Sequence, residues 1–313
     1  MRRVIFLLLP ELEILDLAGP LQAFHEAVHA GADLQVRLGS PEPRVRTDQG
    51  LCLAELEPLP EPAADDLVVV PGMRFAALDA VGPRVLSWLR EAHETGAQLA
   101  SVCTGAFLLG RAGLLDGRQC TTHWSRVEEL QRRFPAARVL ESRLFVHDGP
   151  LTTSAGIASG IDMALALLER RFGPLLVAAV AREMVVYLRR DGSHRQQSVY
   201  LDYRTHLHPG VHRVQDWLIA NPAERASLAA LGRLAALSPR HLTRVFRQAT
   251  GVSVQEFTTR LRLELARGLL HDPRLTVEGV ATRCGFASAR QLRRLWKEVH
   301  GTSPGSERHN MTS

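Results

Sequence analysis

A doubled pattern in the last third of the chain constrains the fold most. Ser227 is a good helix N-cap, and Leu228, Leu231 and Leu234 follow at helical spacing. After a short break at Ala236-Leu237, Ser238 caps and Pro239 takes the first helical position, where a missing N–H costs nothing. Over Pro239–Thr250 the spacing puts Leu242, Val245, Phe246 and Ala249 on one face and Arg240, His241, Thr243, Arg244 and Arg247 on the other, with Gly251 as the stop. The pattern then recurs. Ser253 and Glu256 make a capping box that opens a helix through Phe257, Leu261 and Leu265 and ends before Asp272-Pro273. Thr276 caps a short helix with Val277, Val280 and Ala281, Cys284-Gly285-Phe286 turns, and Ser288 with Gln291 caps another helix. Its inner face is Leu292, Leu295, Trp296 and Val299; its outer face is Arg290, Arg293, Arg294 and Lys297. The two basic helices start 50 positions apart, at 239 and 289, so the segment reads as two helix-turn-helix units, about 227–250 and 276–300, joined by one helix.

Charge supports nucleic-acid contact. Residues 211–313 hold 16 Arg and Lys against 8 Asp and Glu, an excess of eight, whereas residues 1–210 hold 22 against 25. A basic excess confined to the helix pairs is the footprint of phosphate contact. The segment with S-P-R-H-L-T-R-V-F-R-Q-A-T-G-V-S, L-R-L-E-L-A-R-G-L-L and V-A-T-R-C-G-F-A-S-A-R-Q-L-R-R-L-W-K resembles the DNA-binding domain of the AraC/XylS family over about 211–306. By that resemblance Arg240, His241, Thr243, Arg244 and Arg247, with Ser288, Arg290, Gln291, Arg293, Arg294 and Lys297, are expected at the DNA. The partners it implies are double-stranded promoter DNA, RNA polymerase and a second copy of the chain in a homodimer.

At 313 residues, two domains are expected. The longest apolar run, Val4–Pro10, is too short to span a bilayer, and its Arg2-Arg3 start lacks a following small-residue cleavage site. It reads as a buried strand of a cytoplasmic protein with no membrane partner. The four cysteines, Cys52, Cys103, Cys120 and Cys284, are scattered without zinc spacing, so reduced thiols are expected.

Residues 1–187 alternate strand and helix. Strands are expected at Val4–Leu9, Leu34–Leu38, Asp66–Val70, Gln98–Val102, near Val139, at Leu144–His147 and at Leu151–Ser154, and a hairpin over Arg44–Leu53. Helices are expected at Leu17–His29, Pro83–Thr95, Gly105–Ala112, Ser125–Phe134, Gly160–Phe172 and Pro174–Tyr187. Strands apolar on both faces, separated by helices, imply a mainly parallel sheet sandwiched by helices, with ligands at the strands' carboxyl ends.

Several strand ends carry candidate residues: Asp16 past the first strand, Gly72 after Leu67–Val70, Cys103 in L-A-S-V-C-T-G-A-F, His123 in T-T-H-W, and Ser154. Cys103 lies at a strand-to-helix turn that reads as a nucleophile elbow, with the Thr104 N–H aimed at the same space and the helix N-terminus expected to lower the thiol pKa. Plainer roles are open: Cys103 as a structural thiol, Asp16 as a helix cap before Leu17-Ala18, His123 as an interior histidine, Cys52 and Cys120 as inert thiols.

S-V-C-T-G-A-F-L-L-G-R-A-G-L-L-D-G-R, T-T-H-W and T-S-A-G-I-A-S-G-I-D make residues 3–185 similar to the PfpI-like, class I glutamine-amidotransferase-like family. The resemblance implies a flavodoxin-like fold. Many enzymes of that superfamily carry a His directly after the nucleophilic Cys, where Thr104 stands here. The Asp16, Cys103, Thr104 set looks more like the family's isonitrile hydratases, and also like members fused to AraC-type domains that act as regulators. The expected function is therefore a regulator whose 1–187 domain senses a small metabolite through Asp16, Gly72, Cys103, Thr104, His123 and Ser154. Resemblance suggests an amine, amino acid or quaternary ammonium effector. The alternatives are a Cys103-dependent hydratase or amidase, with Asp16 as its proton-transfer partner, and a redox sensor at Cys103, which has no obvious resolving cysteine. No cofactor is implied. Residues 188–210, with Arg189-Arg190, Gly192-Ser193 and Gln196-Gln197, read as a linker to a DNA-binding domain of 211–313 whose first helix is Val211–Ala220. His206, His208 and His212 have neither a fixed register nor a cysteine to make a metal site.

Overall fold

The computed structural model describes residues 1–141, 143–186, 190, 192, 196, 203, 206–270 and 274–305. The chain divides into two compact units, Met1–Gln196 and Gln197–Ser313. In chain order the first unit holds β1 (Arg3–Leu7), α1 (Ile14–His29), β2 (Gln35–Gly39), β3 (Arg44–Arg46), β4 (Cys52–Ala54), β5 (Asp66–Val70), α2 (Pro83–Glu94), β6 (Gln98–Val102), α3 (Gly105–Arg111), β7 (Gln119–Cys120), α4 (Val127–Arg133), β8 (Arg138–Val139), β9 (Phe145–Asp148), β10 (Leu151–Ser154), α5 (Ala158–Phe172) and α6 (Pro174–Glu183).

Six of these strands form one sheet in the order β2-β1-β5-β6-β10-β9, parallel throughout except for the β9–β10 pair. β3 and β4 make the expected antiparallel hairpin. Strand side chains alternate faces, so an uninterrupted apolar run must be covered on both. In β1, Ile5 and Leu7 join the core that includes Trp88 of α2 and Phe107 of α3, while Val4 and Phe6 join the core that includes Phe24 of α1 and Met163 of α5. Burying each such side chain contributes roughly 1.5–3 kcal/mol, which is why these strands occupy the centre.

Several boundaries shift, and α5 starts at Ala158, two residues before the expected Gly160. The first helix starts at Ile14, three residues before the expected Leu17, and Glu13 holds its N-cap position with no side-chain bond. Asp16 thus lies inside the first turn and does not cap. The Ser125–Phe134 segment begins as a 3-10 turn, Trp124–Arg126, before α4. α6 ends at Glu183, and Tyr187 lies outside the described residues. The helix expected at Val211 begins at Pro209, because His208 caps it by accepting from the Val211 N–H.

The second unit contains α7 (Pro209–Ala220), α8 (Leu228–Ala235), α9 (Pro239–Thr250), α10 (Val254–Leu270), α11 (Val277–Arg283) and α12 (Ala289–His300). The sequence-level caps form. Ser227, Ser238, Thr276 and Ser288 each accept a backbone N–H three residues on, and Ser253 and Glu256 exchange bonds of 3.1 and 2.7 Å. Gln291 differs, reaching the Ala287 N–H and not that of Ser288. α8 stops where Ala236 turns left-handed at φ 56°. Two separate cores result: Leu231, Leu242, Phe246, Phe257 and Leu261 in one, Leu263, Leu270, Val280, Leu292 and Trp296 in the other. α10 contributes to both, which joins the two helix pairs. Asp272-Pro273, the expected stop of α10, lies outside the described residues. No described helix is long and apolar enough to cross a membrane.

Candidate functional site

Cys103 sits directly after β6 at φ 54°, in the left-handed region that non-glycine residues rarely occupy. Neighbouring strand ends hold it there. Its N–H donates to Ser154 O at 2.9 Å, and its carbonyl accepts from the Thr122 hydroxyl at 2.8 Å. Thr104 Oγ1 donates to Met73 O at 2.7 Å and accepts from Met73 N at 2.8 Å, clamping the loop after β5. Gly105 belongs to the same close fit, since a Cβ there would meet Val70 O at 2.2 Å.

Asp16 is fully buried beside this turn. Its Oδ1 accepts a 2.6 Å bond from the Ile157 N–H, 141 positions away. Oδ2 is buried without a well-formed hydrogen bond; the Cys103 thiol and the Gly72 N–H are the groups that face the carboxylate and favour its charge. Gly72 is obligatory here, because a Cβ would come within 2.2 Å of Asp16 Oδ2. Burial raises the Asp16 pKa to about 6, against the opposing pull of the Ile157 N–H. Ile157 is itself at φ 50°, ψ −116°, which a β-branched residue avoids and which costs on the order of 1–3 kcal/mol.

The thiol departs from expectation. Its pKa is raised, first by burial and then by the charge of Asp16, and the Thr104 N–H only partly offsets this. The local gain from a helix N-terminus is outweighed, so Cys103 is a protonated thiol at neutral pH. Gly156, at φ 105°, lies against it: a Cβ there would stand 2.4 Å from Cys103 Cβ and 2.9 Å from Sγ.

Gly156 also lines a cleft of about 210 Å³ just past the carboxyl end of β10, together with His123, Trp124, Ile157, Arg190 and Gln196. Of the six expected pocket residues, His123 alone is in its lining. Asp16, Gly72, Cys103 and Thr104 form the buried support behind Gly156 and Ile157. Ser154 serves through its backbone, since its hydroxyl turns to Ser101 O at 3.2 Å. His123 pairs through Nδ1 with Ser125 Oγ at 2.8 Å, and burial and Arg126 lower its pKa. Trp124 is 54% exposed beside it. Sequence reasoning missed Gly156, Ile157 and Trp124 as site residues, although all three lie in the quoted motifs. It assigned Arg190 and Gln196 to a linker.

The helical unit presents a second site. Arg240, His241, Thr243, Arg244 and Arg247 are exposed on α9, and Arg290, Arg293, Arg294 and Lys297 on α12. Arg293 is paired with Glu278 at 2.8 Å and Arg294 with Glu298 at 3.0 Å, exposed pairs that break at little cost. Ser288 and Gln291 are partly occupied by capping, and the Thr243 hydroxyl bonds Pro239 O. Thr243 and Gln291 line one groove of about 620 Å³ with Arg225, Gln255 and Arg262, so both basic helices border a common concavity. No group of three or more His, Cys, Asp or Glu among the described residues is placed to hold a metal. His206 and His212 stack at 4.4 Å near the start of α7.

Comparison with known proteins matches these two units. The DJ-1/PfpI family matches residues 2–170, and a helix-turn-helix domain matches residues 231–310. The chain is 31% identical over 309 residues to the HTH-type transcriptional regulator CdhR of Pseudomonas aeruginosa, covering 97% of this chain and 90% of that one. It is 30% identical to the HTH-type transcriptional regulator GlxA of Rhizobium meliloti, covering 72% and 69%. Isonitrile hydratase of Pseudomonas putida is 34% identical over 169 residues, covering 54% and 71%. A crystal structure of an AraC family transcriptional regulator from Pseudomonas putida superposes with TM-score 0.53 at 25% identity, covering 59% of this chain and all of that one. The chain belongs to the DJ-1/PfpI family, among the members that carry a C-terminal AraC-type helix-turn-helix domain.

Proposed function

We propose that this protein is a one-component transcription regulator: the N-terminal unit binds a small metabolite in the cleft beside the Cys103 turn, and the helical unit binds promoter DNA. The observation that carries the reading is the pair of capped basic helices bordering one groove, in a chain similar along nearly its whole length to a named transcriptional regulator. Outward Arg side chains can grip guanine bidentately, and each such base contact is worth about 1–3 kcal/mol. On this reading the protein works where promoter DNA is, and the AraC-type resemblance adds a second copy of the chain and RNA polymerase as its further proposed partners.

The cleft suits a ligand of modest size. Aromatic walls at His123 and Trp124 and polar groups at Arg190 and Gln196 could orient an amine or amino acid. A hydratase or amidase using Cys103 is the rival. It would need a thiolate, and Cys103 is held protonated beside a carboxylate and beneath Gly156. Asp16, with its pKa near 6, is the group that would take the proton. The test is selection of duplexes from a random pool by the full chain, with a thermal-shift screen of small metabolites on the same protein. A bound consensus and a stabilising, unconverted ligand support the regulator. Conversion of that ligand, lost in Cys103→Ser, would replace it with the enzyme.

A further inference from the structure

Part of the cleft wall comes from the segment that leads out of the N-terminal unit. Arg190 and Gln196 both line the cleft, and Gln196 is the last residue of that unit. Three described residues here are fixed to the other walls. Arg190 grips Asp162 of α5 through Nε and Nη2, at 3.1 and 2.6 Å to Oδ2, and its backbone N–H donates to Oδ1 at 3.2 Å. The Gly192 carbonyl accepts from the Leu144 N–H at 3.2 Å, and a Cβ at Gly192 would stand 2.4 Å from Phe145 O. Gln196 Nε2 donates to Thr122 O at 2.8 Å and Thr121 Oγ1 at 3.3 Å, directly before His123. Its Oε1 is buried and accepts no hydrogen bond from a described residue.

We infer that Arg190, Gly192 and Gln196 form the coupling element through which cleft occupancy is reported to the DNA-binding helices. The inference rests on the reading of the cleft as the ligand site. A ligand shifts an equilibrium only by contacting its two states differently. A ligand in this cleft touches Arg190 and Gln196 while they are anchored and loses both when they detach. A ligand N–H or O–H donor that reached Gln196 Oε1 would also satisfy a buried acceptor that no described residue satisfies in the anchored state, and an unpaired buried acceptor is costly. Ligand binding therefore favours the anchored segment, and α7 begins at Pro209, 13 positions after Gln196 in the sequence.

The test needs no ligand. The full chain, the double variant Arg190→Ala with Gln196→Ala, the single variant Gln196→Ala and a remote control, Arg37→Ala in the exposed Arg37–Glu57 pair, are compared. Binding to a duplex selected from random sequence by the wild-type chain is read by fluorescence anisotropy, and amide hydrogen exchange is read on the same samples. The coupling predicts faster exchange in the peptide spanning Arg190–Gln196, and a DNA Kd changed by about fivefold or more, the usual lower range of allosteric coupling. The control should match wild type in both. Accelerated exchange with a wild-type Kd overturns the inference. Unaccelerated exchange also overturns it, because the tethers then hold nothing. If the double variant fails to fold, Gln196→Ala alone decides on the same criteria. Failure here leaves the ligand reading standing, since thermal shift tests that separately.

Discussion

Replacing Asp16 by Asn should change how the stability of the N-terminal unit depends on pH. The Asp16 carboxyl has a pKa of about 6 in the fold against an ordinary value of 3.8, because burial penalises its charge. A carboxyl whose pKa rises on folding binds more protons folded than unfolded. Stability therefore falls as pH rises from 3.8 toward about 6 and levels off above. At pH 7.5 the full cost is about 3 kcal/mol, and the part incurred between pH 4.5 and 7.5 is about 2 kcal/mol. Asn keeps an oxygen for the Ile157 N–H and carries no titrating proton. Against wild type, Asp16→Asn should gain about 2 kcal/mol over that interval, roughly 4–8 °C in melting temperature for a unit of this size. Scanning calorimetry of both full chains at several pH values measures it. A constant gap between the two proteins, or wild type gaining on the variant as pH rises, would show that Asp16 does not titrate with a raised pKa in the fold.

Gly156→Ala forces a methyl to 2.4 Å from Cys103 Cβ at φ 105°, and should cost about 2–4 kcal/mol in urea unfolding while DNA binding by the folded fraction survives. Iodoacetamide at pH 7 should label exposed Cys52 well before Cys103, whose alkylation should become fast only in denaturant; rapid native labelling of Cys103 would contradict its protonated state. Arg240→Ala or Arg244→Ala, on the exposed face of α9, should weaken binding to a selected duplex by about 1–3 kcal/mol per lost base contact at matched salt.

What the sequence disclosed was local. The apolar runs of β1 and β5 announce strands covered on both faces, and the capping residues mark the starts of α8–α12, because each signal and its cause lie within a few positions. The strand-to-helix turn at Cys103 was legible for the same reason. What escaped depends on distant partners. Asp16 looks like a cap beside Leu17, but its partner is the Ile157 N–H, 141 positions on. The helix N-terminus after Cys103 suggests a lowered thiol pKa, yet burial and Asp16 decide it from outside the motif. Arg190 and Gln196 have the polar, glycine-flanked setting of a linker. Their tethers reach Asp162, 28 positions back, and Thr122, 74 back, which no local pattern records.

On the proposed function, a ligand in the N-terminal cleft alters DNA binding by the helical unit. Ala158 stands exposed in the cleft lining, so Ala158→Trp fills the cleft without disturbing the buried Asp16–Cys103 support. The deciding measurement is the anisotropy-derived Kd for a selected duplex, with and without a metabolite found by thermal shift, for wild type, Cys103→Ser and Ala158→Trp. Kd should depend on ligand in wild type and Cys103→Ser, and in Ala158→Trp ligand should leave it unchanged while DNA binding persists. A ligand response that survives Ala158→Trp, or one that disappears with the Cys103 thiol alone, would contradict the proposed function.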